Sequence, residues 1–550
     1  MATCARVMAR TLRELGIARM FGLPGGEILA FIDAARDEGI EFHLTRDEST
    51  ASFMADVTGQ IERRPGVCVA TLGPGAMNMV LGVANAWLDR SPVLAVTAST
   101  AVASAPFATH QNLDLAGIYS GFTKASIELD ARNTEAKVRY AFSLSMQPRM
   151  GPVHLALPSD IANMEDVEGD DAGLALDTAG ADEQTPTGLS DAEHIRAVAA
   201  AIQAAERPVI IVGLDLDPLS DTEAVRGFVD DLGVPVFATP KAKGIVAEDH
   251  PLFGGVCAGV AGDRIIVEFF EQSDLLIGLG FEPVESDKLW HETMKLVSIG
   301  PVSIAEGEFV PDLECVGDVN EILASLRDLG VGSPAAGKAS AGGWGERIGE
   351  LRARVVDTLT PEHPPVDALS PFELTTRLRE LMPRETVHVT DVGSIKFITS
   401  QAWQSYEPLT FFESNGLSSM SYGFRGAMAA KLCFPDRPVL CTVGDGGFAM
   451  TVAELETCVR YGINFVTVVY NDNSLSLIRV AQASKGLERY GVDYGAVDFA
   501  LVSAGFGAWS RRVSSLAELD AAVTEAMSAD RPAVIDALVD PAEYAAHAAP

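Results

Sequence analysis

Two carboxylates stand at the ends of two apolar runs. Residues 439–443 lead into Gly444-Asp445-Gly446-Gly447-Phe448, and residues 465–470 lead into Asn471-Asp472-Asn473. An amphipathic helical pattern covers about residues 451–461 between them. The order reads as strand, glycine turn, helix, strand, loop. It places Asp445 and Asp472 at the carboxyl ends of neighbouring parallel strands, where open α/β sheets take ligands. Glycines let backbone N–H groups approach a diphosphate, and paired oxygen ligands suit Mg²⁺. A lone Gly-Asp-Gly is also an ordinary tight turn. The second acidic strand end is what turns the pattern into a prediction of a metal-bridged diphosphate cofactor, and hence of an enzyme.

Such a site needs a sheet to carry it, and the chain offers three blocks. Residues 1–165 alternate helical patterns with short apolar strands at 18–21, 41–44, 67–71, 93–97 and 153–157, an α/β rhythm. The acidic stretch 164–189 reads as a linker. Residues 190–330 open with a helix over 191–205 and carry strands at 208–212, 234–237 and 275–279. A second linker, 330–343, is rich in Gly, Ala and Ser. Residues 365–550 carry strands at 386–390, 439–443, 465–470 and 533–538. The expectation is three α/β domains, each a mostly parallel sheet flanked by helices, with the first and third alike in size and pattern.

Bulk properties narrow the function classes. A chain of 550 residues with 47% hydrophobic and 21% charged residues exceeds a single core. Its net charge of −35 argues against nucleic-acid binding, which calls for basic patches. A diphosphate site in that field must rely on Mg²⁺ and backbone dipoles. The 7 cysteines are scattered and never spaced C-x-x-C, which argues against a disulfide framework or a zinc site and fits a reducing compartment. The N-terminus leads into an amphipathic helix with Arg10 and Arg13 rather than a signal segment, and no stretch approaches 18 apolar residues. A cytoplasmic protein with no membrane partner is expected.

With these motifs in register, the whole chain resembles the thiamine-diphosphate enzymes of the acetohydroxyacid synthase and pyruvate decarboxylase superfamily. Its signature is Gly-Asp-Gly, a spacer of this size, then Asn-Asn or Asn-Asp. The resemblance implies a pyrimidine-binding domain at 1–165, a middle domain at 190–330 and a diphosphate/Mg-binding domain at 365–550. It makes Asp445, Asp472 and the Ser474 carbonyl metal ligands. Gly444, Gly446 and Gly447 then line the diphosphate, and Leu475 follows in the same loop. Asp391-Val392-Gly393-Ser394-Ile395 matches the loop that cups the diphosphate, with Gly393, Ser394 and Ile395 as contacts. Leu23-Pro24-Gly25-Gly26 resembles the turn near the pyrimidine pocket, with Gly25 against the cofactor. Ala70 to Asn78, with its Gly73-Pro74-Gly75, resembles the turn behind the catalytic glutamate.

That glutamate is Glu48, after the strand 41–44 and before a helix over 49–60. Thiamine chemistry requires a carboxylate that exchanges a proton with the aminopyrimidine ring. Many relatives have His before the glutamate, whereas this chain has Asp47. Ser414 to Met420 matches the cofactor-bending segment, with Met420 as the wedge and the Ser418 carbonyl as acceptor for the 4′-amino group. Thr109-His110-Gln111 looks like the Thr-His-Gln of FAD-independent, catabolic acetolactate synthases and implies active-site roles for His110 and Gln111.

The match loosens over 475–485. Ala481 stands where catabolic synthases carry Gln and anabolic ones Trp, with Gln482 beside it as the candidate substrate contact. Phe424-Arg425-Gly426 replaces a more usual Leu-Pro pair. The implied reaction is decarboxylation of a pyruvate-like 2-oxo acid with carboligation to an acceptor carbonyl. Non-oxidative decarboxylation or a specialised acyl transfer or lyase reaction is the alternative, and a non-catalytic paralogue the remote one. The catabolic-like features argue against FAD, and the resemblance implies a homodimer or homotetramer.

Glu48→Gln is expected to lower kcat by about 10²–10⁴-fold, the range of a lost general acid–base group. Steady-state turnover with thiamine diphosphate binding measured alongside checks this.

Overall fold

The computed structural model describes residues 2–169, 192–257, 259–285, 294–305, 310–332, 344–361, 365 and 367–547. The expected linkers fall outside the described residues from 170 and from 333 onward. Among the described residues are three six-stranded, wholly parallel sheets. The first contains β1 (Arg19–Leu23), β2 (Glu41–Leu44), β3 (Gly66–Ala70), β4 (Val93–Ser99), β5 (Ser126–Glu128) and β6 (Pro152–Pro158), in the order β2-β1-β3-β4-β6-β5. The second contains β7 (Pro208–Val212), β8 (Val236–Ala238), β9 (Phe253–Val256), β10 (Leu275–Leu279), β11 (Leu296–Gly300) and β12 (Leu313–Val316), in the order β12-β11-β10-β7-β8-β9. The third contains β13 (Val387–Thr390), β14 (Phe411–Phe412), β15 (Val439–Gly444), β16 (Val466–Asn471), β17 (Trp509–Val513) and β18 (Ala533–Leu538), in the order β14-β13-β15-β16-β18-β17. Strand for strand, the first and third sheets share one order.

Parallel neighbours need crossover helices, which cover both faces, so central strands read as unbroken apolar runs. β3 (GVCVA), β7 (PVIIV) and β16 (VTVVYN) are buried along their full lengths. All 7 cysteines are free. No helix among the described residues is long and apolar enough to cross a membrane.

The chain divides into two compact units. One comprises Met1–Glu183, Gly416–Pro435 and Thr451–Ile463; the other comprises Gln184–Asn415, Asp436–Met450 and Asn464–Pro550. The late helix Tyr422–Cys433 therefore belongs with the first unit. It packs on the helix Glu48–Glu62, with Tyr422 edge-on to Phe53 at 5.8 Å and the Arg425 guanidinium 5.2 Å over the Phe53 ring. Residues 164–167 are not free linker: Glu165 bridges Thr3 and Val167 bridges Arg132.

The segment between the two acidic strand ends differs from expectation. There is no turn after β15. A helix, Asp445–Thr451, starts at the next residue, and a second, Glu454–Tyr461, follows a short break. No atom lies within 4 Å of a Cβ position at Gly444, the last residue of the strand. Asp445 Oδ1 accepts from the N–H of the adjacent Gly446 at 2.6 Å.

In the second unit a buried ion pair ties the second sheet to the third. Lys243 and Glu248 approach to 2.8 Å, with side chains 0% and 2% exposed. The Lys243 Nζ also donates to the Ser400 and Trp403 carbonyls, each at 2.8 Å, and lies 4.9 Å over the Phe411 ring. Removing one partner of such a pair leaves an uncompensated buried charge. Lys243→Met is expected to destabilise the protein by about 3–5 kcal/mol, and Lys243→Met with Glu248→Leu to recover much of it, as read by denaturant unfolding.

Candidate active site

The third sheet reverses its strand order between β13 and β15, and three loops meet there and at the adjacent β16. After β13 come Asp391, Gly393 at φ +84° and Ser394, which opens the helix Ser394–Ala402. After β15 comes Asp445, and after β16 comes Asp472, with Gly444 paired to Tyr470 in register. The expected juxtaposition of the two carboxylates is therefore present. No atom lies within 4 Å of a Cβ position at Gly393 or Gly444, so both glycines border open space. The Ser394 Oγ is shielded from solvent and makes no hydrogen bond.

Asp445 is 6% exposed, and burial raises its carboxyl above the usual range. Asp472 is pushed up to about 7 by burial and by the charge of Asp445. Each is steered by local donors: Asn473 N–H to Asp445 at 2.6 Å, Ser474 N–H to Asp472 at 2.9 Å and Ser476 Oγ to Asp472 at 2.8 Å. No ion pair neutralises either one among the described residues. Two buried carboxylates without an ion-pair partner suit a hard divalent cation. An orphaned hydroxyl at a helix N-terminus beside open glycines suits a diphosphate. The residues present thus fit both groups. No cluster of three or more His, Cys, Asp or Glu is gathered among the described residues, so a cation here needs backbone and ligand oxygens as well.

Some expected contacts are already committed. The Gly446 N–H is taken by Asp445, and the Ile395 side chain lies in the apolar core with Leu374, Leu378 and Trp403, which leaves only its backbone to face a ligand. The Leu475 N–H donates to the Val492 carbonyl at 2.7 Å. Gln482, on the helix Ser476–Ser484, donates to the Tyr490 carbonyl at 2.9 Å while its Oε1 is buried without a partner.

In the first unit, Glu48 opens the helix Glu48–Glu62, which Asp47 caps by accepting from the Ser49 N–H at 2.8 Å. The unusual Asp47 thus has a structural role. Glu48 is 6% exposed; its Oε2 accepts from Asn78 Nδ2 at 3.1 Å, and its Oε1 lies 3.1 Å from where a Gly75 Cβ would stand. Gly25 fits closely against Thr71, whose Oγ1 a Cβ would meet at 2.5 Å, and Gln111, at φ +54°, packs its side chain over Gly73. His110 is exposed and is not drawn in with them. Met420 is half-buried between Ser418 at φ +51° and Ser421 at φ +70°, two left-handed residues whose cost other contacts must offset.

Comparison with known proteins agrees with this geometry. Residues 2–118, 195–326 and 391–537 match the family models for the thiamine pyrophosphate enzyme N-terminal TPP binding domain, central domain and C-terminal TPP binding domain. The chain is 30% identical to the acetolactate synthase of Bacillus subtilis over 98% of its own length and 93% of that protein's. It is also 30% identical to the catabolic acetolactate synthase of Raoultella terrigena, over 98% and 95%. The chain belongs to the thiamine-diphosphate enzymes of the acetolactate synthase family. A further relative of this enzyme, 28% identical over 94% of the chain and 90% of its own length, is a probable 2-ketoarginine decarboxylase of Pseudomonas aeruginosa.

Several supports of this thiamine-diphosphate enzyme's site had no separate signal in the sequence. Asn78 ends the stretch Ala70 to Asn78 but gains its meaning only from its contact with Glu48. The loop before Glu48 is clamped from far along the chain: Leu44 N–H donates to the Tyr461 hydroxyl at 2.9 Å, Arg46 N–H to Glu454 at 3.0 Å and Arg460 to the Leu44 carbonyl at 2.9 Å.

Asp472→Asn removes one of two mutually repelling buried charges. The cofactor-free variant is expected to melt at a higher temperature than the wild type, while Mg²⁺-dependent thiamine diphosphate affinity falls by more than the roughly 10–100-fold of an outer-sphere change. Thermal unfolding and calorimetric titration of the same preparation check both halves.

Proposed function

We propose that this enzyme uses thiamine diphosphate and Mg²⁺ to decarboxylate pyruvate and join the resulting two-carbon unit to a second pyruvate, giving acetolactate. The observation that carries the reading is the pair Asp445 and Asp472 at adjacent strand ends, buried and unneutralised, beside the open Gly393–Ser394 cradle. In this reading Asp445, Asp472 and the Ser474 carbonyl hold Mg²⁺. Gly393, Ser394, the Ile395 backbone, Gly444, Gly447 and the loop through Leu475 line the diphosphate. Bound thiamine diphosphate supplies the carbanion-stabilising carbon that such chemistry needs.

The chain's own contribution is proton handling and orientation. Asn78 fixes one Glu48 oxygen, which leaves Oε1 to hold or pass a proton at the aminopyrimidine edge. With the cofactor bound, the bracketed Met420 would pack against its rings, and the Ser418 carbonyl would accept from its amino group. Gly25 and Gln111 border the pyrimidine side, with His110 on the same loop as Gln111, and Gln482 meets substrate. Residues 1–165, 190–330 and 365–550 act as the pyrimidine, middle and diphosphate domains. The active species is a homodimer or homotetramer, working in the cytoplasm without FAD, and size-exclusion chromatography of active fractions reads its size.

A second reading has one observation behind it: the probable 2-ketoarginine decarboxylase among the relatives, alongside the small Ala481 in the substrate segment. In that reading a larger 2-oxo acid is decarboxylated and protonated rather than ligated.

Incubation with thiamine diphosphate, Mg²⁺ and pyruvate is expected to yield equal amounts of CO₂ and acetolactate. Acetaldehyde in place of acetolactate would overturn the first reading, and CO₂ from 2-ketoarginine but none from pyruvate would overturn it in favour of the second.

A further inference from the structure

Open parallel sheets take ligands where the strand order reverses, outside the carboxyl ends of the two strands concerned. In the middle sheet that place lies between β7 and β10, and the backbone at its base is closely packed. A Cβ on Gly213, just after β7, would stand 2.6 Å from both the Gly280 carbonyl oxygen and the Phe281 Cα, just after β10. A Cβ on Gly280 would meet Leu216 at 2.6 Å.

A carboxylate lies at the same crevice. Glu285 is 5% exposed and follows β10. Its Oε2 accepts from the Leu214 N–H at 2.9 Å and from Thr239 Oγ1 at 2.8 Å, and its Oε1 accepts from the Lys241 N–H at 3.2 Å. These donors sit on the loops after β7 and β8. Backbone N–H groups and a hydroxyl converging at strand ends form the kind of cradle a nucleotide phosphate uses. Here one internal carboxylate takes all three donors. Burial pushes Glu285 up to about 7, against the pull of the donors and the Lys241 charge. The third sheet shows the opposite condition at its own reversal: Gly393 and Gly444 border open space, and the Ser394 Oγ is orphaned.

We propose that Glu285 is a built-in anion that seals the nucleotide-type crevice of the middle sheet. The protein therefore carries no flavin or other dinucleotide there, and the cradle accepts a nucleoside diphosphate once the carboxylate is removed. This holds whether or not acetolactate is the product.

The test uses the full-length protein. The supernatant of the heat-denatured wild type is scanned for flavin absorbance, and ADP is titrated calorimetrically into wild type, Glu285→Ala and Glu285→Gln. The expected result is no flavin, no ADP binding by wild type or by the space-filling Glu285→Gln, and binding by Glu285→Ala at least about tenfold tighter. Stoichiometric flavin, ADP binding by wild type as tight as by Glu285→Ala, or a folded Glu285→Ala no better than wild type overturns the proposal. Should Glu285→Ala fail to fold by circular dichroism, the wild-type flavin and ADP arms decide alone. CO₂ release from pyruvate, measured on the same wild-type sample, reports on the proposed reaction separately.

Discussion

Like charges brought together away from water repel strongly, and folded proteins tolerate such pairs only where something is gained. Asp445 and Asp472 are held in this way by elements that have no freedom to separate them. One opens a helix directly from β15, and the other is fixed by backbone and hydroxyl donors after β16. The two strands lie side by side in the middle of a six-stranded sheet. Apolar burial of β15 and β16 supplies the stability that this electrostatic cost consumes. Holding the two carboxylates together thus comes at the expense of the empty fold.

The three sheets treat one geometric opportunity differently. The first and third share a strand order and each reverses direction beside its first strand. Around the first, Gly25, Thr71 and Gly73 crowd the strand ends, with Glu48 nearby on a capped helix. Around the third, glycines leave open space and a hydroxyl waits unpaired. The middle sheet, of a different order, fills its reversal with Leu216, Phe281 and Glu285. A crevice at a strand reversal is therefore a permission rather than a function, and the side chains around it decide whether it is used.

Much of this was legible in the sequence because fully covered parallel strands are uninterrupted apolar runs. Residues 41–44, 208–212, 275–279 and 533–538 are strands with the expected bounds. Strands without that signature escaped. β5 has three residues, β9 (FGGV) is half glycine, and β17 (WSRRV) carries two arginines at an edge. The acidic pair at Asp445 and Asp472 was visible because both residues follow directly on such runs. Asn78, Glu454 and Glu285 were not, because their roles lie in contacts between residues distant in the chain. Period and spacing along a sequence carry no information about such contacts. The direct passage from β15 into a helix was also missed, since Gly-Asp-Gly-Gly reads locally as a turn.

The clamps on the loop before Glu48 bear on how the protein is made. Leu44 and Arg46 are held by Glu454, Arg460 and Tyr461, and the compact unit they share extends from Met1 to Ile463 with long interruptions. On a ribosome adding about 5–20 residues per second, the segment through Glu183 emerges roughly 15–60 s before its last partners do. During that interval the covering surface of the helix Glu48–Glu62 is missing, and its apolar side faces solvent or a chaperone. Glu48 is encoded among the first fifty residues, yet its setting is completed only when five-sixths of the chain has been synthesised.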